Sequence, residues 1–118
     1  MDLQTQQLND GITKINLAGR MDNAGVQGID LQFTALTATK KAAIVIDLSE
    51  VSFLASIGIR TLITNARALR QRGGKMILLS PQPLVDEVLK SAGITSIIET
   101  LYDLQAACEA LGASPESA

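Results

Sequence analysis

Apolar residues recur along this chain with two different periods, and the switching between them divides it into strands and helices. Leu3 to Leu8 and Ile12 to Ala18 read as two short strands joined by Asn9-Asp10-Gly11, an Asp-Gly turn between partly alternating segments that predicts a hairpin. In the second strand Thr13, Ile15 and Leu17 point one way and Ile12, Lys14 and Asn16 the other, so one face is expected buried and the other partly wet. Gly19-Arg20-Met21-Asp22-Asn23 then breaks the strand, and Asp22 or Asn23 is placed to cap a helix by accepting from its free N–H groups. Val26, Ile29, Phe33 and Leu36 follow at helical spacing, a stripe that runs to about Thr39.

The same alternation continues to the end. Lys40-Lys41 reads as a solvated connection to the apolar run Ala43 to Leu48, which suits a central strand that stops near Asp47. A loop from Ser49 leads to a helix opening near Ser56, with Ile59, Leu62, Ile63, Ala66 and Leu69 as its stripe and Gly73-Gly74 as its left-handed stop. Arg60, Arg67, Arg70, Gln71 and Arg72 lie largely off that stripe. Met76-Ile77-Leu78-Leu79 is the next strand, and Ser80-Pro81-Gln82-Pro83 starts a short helix carrying Leu84, Val85, Val88 and Leu89. Asp86 and Glu87, early in that helix, are structural charges that the dipole favours. A last strand is expected around Ile97-Ile98, then a capping signal at Thr100 to Asp103 and a helix with Leu101, Leu104, Cys108 and Leu111 as its stripe. Residues 113–118 read as a flexible tail, leaving 1–112 as one domain. The series is that of an α/β fold: a mixed sheet that opens with a hairpin and is covered by about four helices joined through right-handed crossovers.

Composition narrows the chemistry. Of 118 residues, 47% are hydrophobic and 19% charged, which is globular rather than disordered. Neither a signal-peptide start nor a membrane-length apolar run is seen, so a cytoplasmic protein with no membrane partner is expected. Net charge is −2 with no basic cluster interleaved with aromatics, which argues against nucleic acid. The chain contains no histidine, so Ser-His-Asp and Cys-His catalysis and His-ligated zinc are excluded. Its single Cys108 has no companion for a disulfide or a metal site and reads as core filler. No P-loop, nucleophile elbow or dinucleotide fingerprint occurs either. No catalytic residue, cofactor or metal is assigned, and the chain is not expected to be an enzyme.

What remains is one hydroxyl. Ser56 falls where the strand-to-loop segment turns into helix, between the small residues Ala55 and Gly58. The first N–H groups of a helix lack partners and carry the positive end of its dipole, so an oxygen or a phosphate is stabilised there. Ser56 can therefore serve as a plain helix cap or as a phosphate acceptor. Arg60, one turn on, is positioned to pair with a phosphate or with an acidic partner.

The segment Asp47-Leu48-Ser49-x-Val51-x-Phe53-Leu54-Ala55-Ser56-Ile57-Gly58-Ile59 resembles the signature of STAS domains, specifically anti-sigma factor antagonists, whose loop reads approximately D-x-S-x-V-x-F-x-D-S-S-G-L. The turn Gly19-Arg20-Met21-Asp22 and the Gly73-Gly74 turn extend the resemblance over nearly the whole chain. Two positions depart from it: the family's Asp before the phosphorylated Ser is Ala55 here, and the second Ser is Ile57. The resemblance implies the STAS arrangement, with helices packed mainly on one face of the sheet. It implies a switch in which the unphosphorylated domain binds an anti-sigma factor that is also a serine kinase and frees a captive regulator. Phosphorylation of Ser56 then ends binding, and a PP2C-type serine phosphatase resets the domain, which is monomeric when free. The partner-facing set it implies is Asp22, Asn23, Ser52, Phe53, Leu54, Ala55, Ser56, Ile57, Gly58 and Arg60. The alternative is a constitutive STAS docking subunit of a transporter or signalling complex, in which Ser56 only caps its helix.

Overall fold

The computed structural model of the chain describes residues 1–8, 11–38 and 42–112. Five strands form one sheet: β1 (Asp2–Gln7), β2 (Ile12–Met21), β3 (Ala43–Leu54), β4 (Lys75–Leu79) and β5 (Glu99–Leu101). They lie in sequence order across the sheet, β1 antiparallel to β2 and every later pair parallel. Parallel neighbours require a crossover, and three helices supply them: α1 (Asn23–Ala38), α2 (Ser56–Gln71) and α3 (Pro83–Ser91). A fourth, α4 (Leu104–Ala110), follows β5.

Strand alternation decides which core each residue enters. Ile15 and Leu17 of β2, with Ile44, Ile46 and Leu48 of β3, pack under Phe33 of α1, Leu62 and Leu69 of α2, and Val85 and Leu89 of α3. Their neighbours in the chain face the other way, so Ile12, Val45, Ile77 and Leu79 meet Ala107 and Cys108 of α4. Three helices thus cover one face and the short α4 covers part of the second, the arrangement expected of a sheet with its helices mainly on one side. Phe33 is fully buried, and its truncation to Ala is expected to cost about 3–5 kcal/mol. Cys108 is core filler, and burial pushes its thiol pKa up.

Three sequence expectations change. First, β3 does not stop near Asp47 but runs on through Leu54, so the expected loop is strand. Twelve residues of β3 pair with ten of β2, and the excess appears as register shifts at Asn16/Ala18 and Gly19/Arg20. Each shift inserts one extra β3 residue, which breaks the period-2 pattern and gives Ser49-Glu50 the look of a loop. Second, Ile97-Ile98 is not a strand. The Ile94 carbonyl accepts from both N–H groups at 2.8 Å, holding them in a helical turn while Glu99–Leu101 takes the sheet edge. Third, Leu101 belongs to β5 rather than to the last helix, because Asp103 accepts from Ala106 N–H at 3.1 Å and starts α4 after itself.

Gly73 ends α2 as expected, at φ +82. Asn9 and Asp10 of the hairpin turn, Thr39 to Lys41, and the tail 113–118 lie outside the described residues. No described helix is long and apolar enough to cross a membrane.

Candidate functional site

The ends of β2 and β3 and the start of α2 are tied together by backbone. Ala55 N–H donates to the Met21 carbonyl at 3.0 Å, and Met21 pairs with Leu54 across the sheet. The first turn of α2 then lies directly against this corner, which only a residue without a side chain allows. A Cβ on Gly58 would stand 2.9 Å from the Met21 carbonyl oxygen and 2.7 Å from Leu54 Cδ1. The result is that α1 and α2 begin side by side at the C-terminal ends of β2 and β3, where open α/β sheets gather functional groups.

Ser56 is the first residue of α2 and is exposed. It is not the cap: that position belongs to Ala55, whose backbone is extended and whose methyl group cannot accept a hydrogen bond. The N-terminal N–H groups of α2 therefore have no side-chain cap, and the Ser56 hydroxyl stands at the positive end of a sixteen-residue helix.

Asp22 does for α1 what nothing does for α2. Its Oδ1 accepts from Gly25 N–H at 2.9 Å and its Oδ2 takes Arg20 Nε at 3.2 Å. The Gly25 amide first, and Arg20 after it, hold the carboxyl below the usual carboxylate range despite some desolvation. Arg20 in turn lies 4.3 Å above the Phe53 ring. The N-cap role read for Asp22 is present, and both of its oxygens are used within the chain. Arg20 joins the site only through the fold. Its stacking depends on the shifted register that pairs Arg20 with Phe53, which spacing does not reveal.

The ten residues expected to face a partner divide by burial. Asn23, Ser52, Ser56 and Arg60 are exposed, and Asp22, Phe53, Ala55 and Ile57 are half-buried. Leu54 and Gly58 are buried, so they shape the corner from beneath and offer no surface. Ser52 Oγ donates to the Gly19 carbonyl at 3.4 Å, which leaves Ser56 as the less encumbered hydroxyl.

Two other polar groupings are built differently. Lys14 and Asp47 pair at 3.1 Å on the partly open sheet face, both side chains mostly covered. Burial works against the Asp47 carboxylate, but the Ser49 amide and Lys14 outweigh it and hold its pKa low. Tyr102 donates to Asp86 at 2.7 Å and Lys90 pairs with the same carboxylate at 3.0 Å, bracing α3 against the β5–α4 connection. Among the described residues no cluster of His, Cys, Asp or Glu could hold a metal ion. At Ser56 the structure presents an exposed hydroxyl on the first residue of α2.

The STAS domain family matches residues 4–107, and the chain belongs to that family. A Bordetella bronchiseptica protein with the provisional name anti-sigma factor antagonist BtrV is 28% identical over 101 residues, spanning 86% of this chain and 87% of that one. An anti-sigma factor antagonist from Mycobacterium paratuberculosis superposes with a TM-score of 0.81 at 23% identity, covering 94% of this chain and 95% of its own. The anti-sigma factor antagonist SpoIIAA in its unphosphorylated form superposes at 0.74 and 23% identity, covering 94% and 97%. SpoIIAA of Bacillus has also been solved phosphorylated, with a TM-score of 0.66 at 22% identity over 89% and 96%.

Proposed function

We infer that this chain is an anti-sigma factor antagonist whose binding is gated by phosphorylation of Ser56. In the unphosphorylated state the corner formed by Ser56, Asn23, Ser52 and Arg60 docks on an anti-sigma factor that is also a serine kinase, releasing the regulator it holds. Phosphoryl transfer to Ser56 separates the pair, and a PP2C-type serine phosphatase restores the hydroxyl. The chain carries no catalytic role of its own, works in the cytoplasm, and forms one domain over 1–112.

One observation carries this reading: the exposed Ser56 hydroxyl at the opening of α2, where no side-chain cap competes for the free N–H groups. A phosphate there adds bulk and a charge of roughly −1.5 to −2 to a surface that had docked as a neutral hydroxyl. A loss of about 3 kcal/mol of binding exceeds a hundredfold in affinity, enough for a switch. BtrV and SpoIIAA, named as anti-sigma factor antagonists, support the partner class. Constitutive docking is the second reading, and the missing carboxylate at Ala55 favours it. Incubation with the kinase-type partner recovered from the source cell and ATP, followed by mass spectrometry, separates the two. Phosphate on Ser56 is expected; phosphate only on Ser49 or Ser52 overturns the site, and none at all favours constitutive docking.

A further inference from the structure

The charge around Ser56 is opposite in sign to that of the chain as a whole. The protein carries a net −2, yet the corner presents two guanidinium groups, Arg20 and Arg60, against one carboxylate, Asp22. That carboxylate is engaged within the chain, one oxygen on the Gly25 amide and the other on Arg20 Nε. Ala55, where the related pattern has an acid, adds no compensating charge. Glu50, the next exposed acid along β3, lines a separate cleft with Gln4, Asn16 and Asp47.

Arg20 is held as a reader of anions should be. Its guanidinium carbon lies 4.3 Å from the Phe53 ring centroid and its Nε is bonded to Asp22, while its side chain remains 62% exposed. The outer edge of the guanidinium is thus presented to solvent with little rotamer freedom left to lose. Arg60 stands on α2 four residues from Ser56, and no described carboxylate pairs with it. Phe53, the ring under Arg20, precedes Ser56 by three residues, and the Ala55 amide between them is bonded to the carbonyl of Met21, the residue after Arg20, so both arginines belong to the elements that meet at this corner.

We propose that Arg20 and Arg60 form an anion-reading rim that receives an acidic segment of the partner protein. This rests on the phosphorylation-gated reading above and adds the partner's chemistry. A neutral Ser56 leaves the rim positive and attractive to carboxylates. A phosphate on Ser56 reverses the local sign, so the same acidic segment is repelled. The rim thereby explains how a charge at Ser56 can act on partner groups that never touch it.

The test uses the full chain, labelled with 15N, and twelve-residue peptides rich in Glu, Gln or Lys. The Glu-rich peptide is expected to move the Arg20 Nε–Hε signal and the amides of residues 55–60, with Arg20→Glu weakening the titration about tenfold and Ser56→Asp doing likewise. Arg20→Lys, which keeps the charge but loses the stack, is expected to fall between. Shifts confined to Arg67, Arg70 and Arg72, an unchanged titration in Arg20→Glu, or preference for the Lys-rich peptide overturns the proposal. Thermal midpoints of the Arg20 variants confirm that they fold. Against the kinase-type partner captured with a Ser56→Ala bait, Arg20→Glu is expected to lose at least about tenfold in affinity and to regain it when an acidic residue of that partner is reversed. If Ser56→Asp abolishes that binding while Arg20→Glu leaves it intact, the acidic-segment proposal fails and the switch stands. If Ser56→Asp has no effect, the switch itself fails.

Discussion

The starts of α1 and α2 are neighbours in space and opposite in construction. At α1 the chain supplies its own acceptor: Asp22 takes the Gly25 amide on one oxygen and Arg20 on the other. At α2 the corresponding position is Ala55, which can accept nothing, and an exposed serine follows it. Two helix N-termini with the same dipole therefore differ in what they invite. A closed N-terminus stabilises the fold, whereas an open one beside an exposed hydroxyl is a place where a charge can be added and read.

Charge at the open start is the most direct way to break the contrast. Ser56→Asp is expected to reduce affinity for the kinase-type partner more than a hundredfold, about 3 kcal/mol, while Ser56→Ala retains it; titration calorimetry with both variants measures the difference. Gly58→Ala tests whether the corner needs the close approach. A methyl group 2.9 Å from the Met21 carbonyl oxygen is expected to cost about 1–3 kcal/mol in urea unfolding, although Ala favours helices elsewhere. An unchanged urea midpoint would show that α2 is not held tightly against the corner of β2 and β3.

Closing α2 should make it resemble α1. Ala55→Asp supplies the missing acceptor and is expected to stabilise the chain by about 1 kcal/mol, raising the thermal midpoint by a few degrees. The smallest effect is expected from opening α1. Asp22→Ala lowers stability at neutral pH, and the sign of its pH dependence follows from the lowered carboxyl pKa. A folded pKa below the unfolded one contributes stability above the unfolded value, near 3.8, and loses it as pH falls through the folded value. Wild type and Asp22→Ala should therefore converge in denaturant midpoint as pH drops below about 4. A gap that persists at pH 2 would mean that Asp22 acts through packing alone.

Much of this molecule was legible in one dimension, because burial on a helix or strand follows a local period. Val26, Ile29 and Phe33 are buried as their spacing required, as are Leu62, Ala66 and Leu69. The opening of a helix at Ser56 could be read from the change of period, and the lack of histidine in the sequence excludes histidine-dependent triads and His-ligated zinc. Tertiary structure decided what depends on alignment between distant segments. The two extra residues of β3 are intelligible only against β2, since a bulge is a mismatch between two strands and not a property of either. Those shifts set Arg20 over Phe53, and the sheet corner they complete buries Leu54 and Gly58.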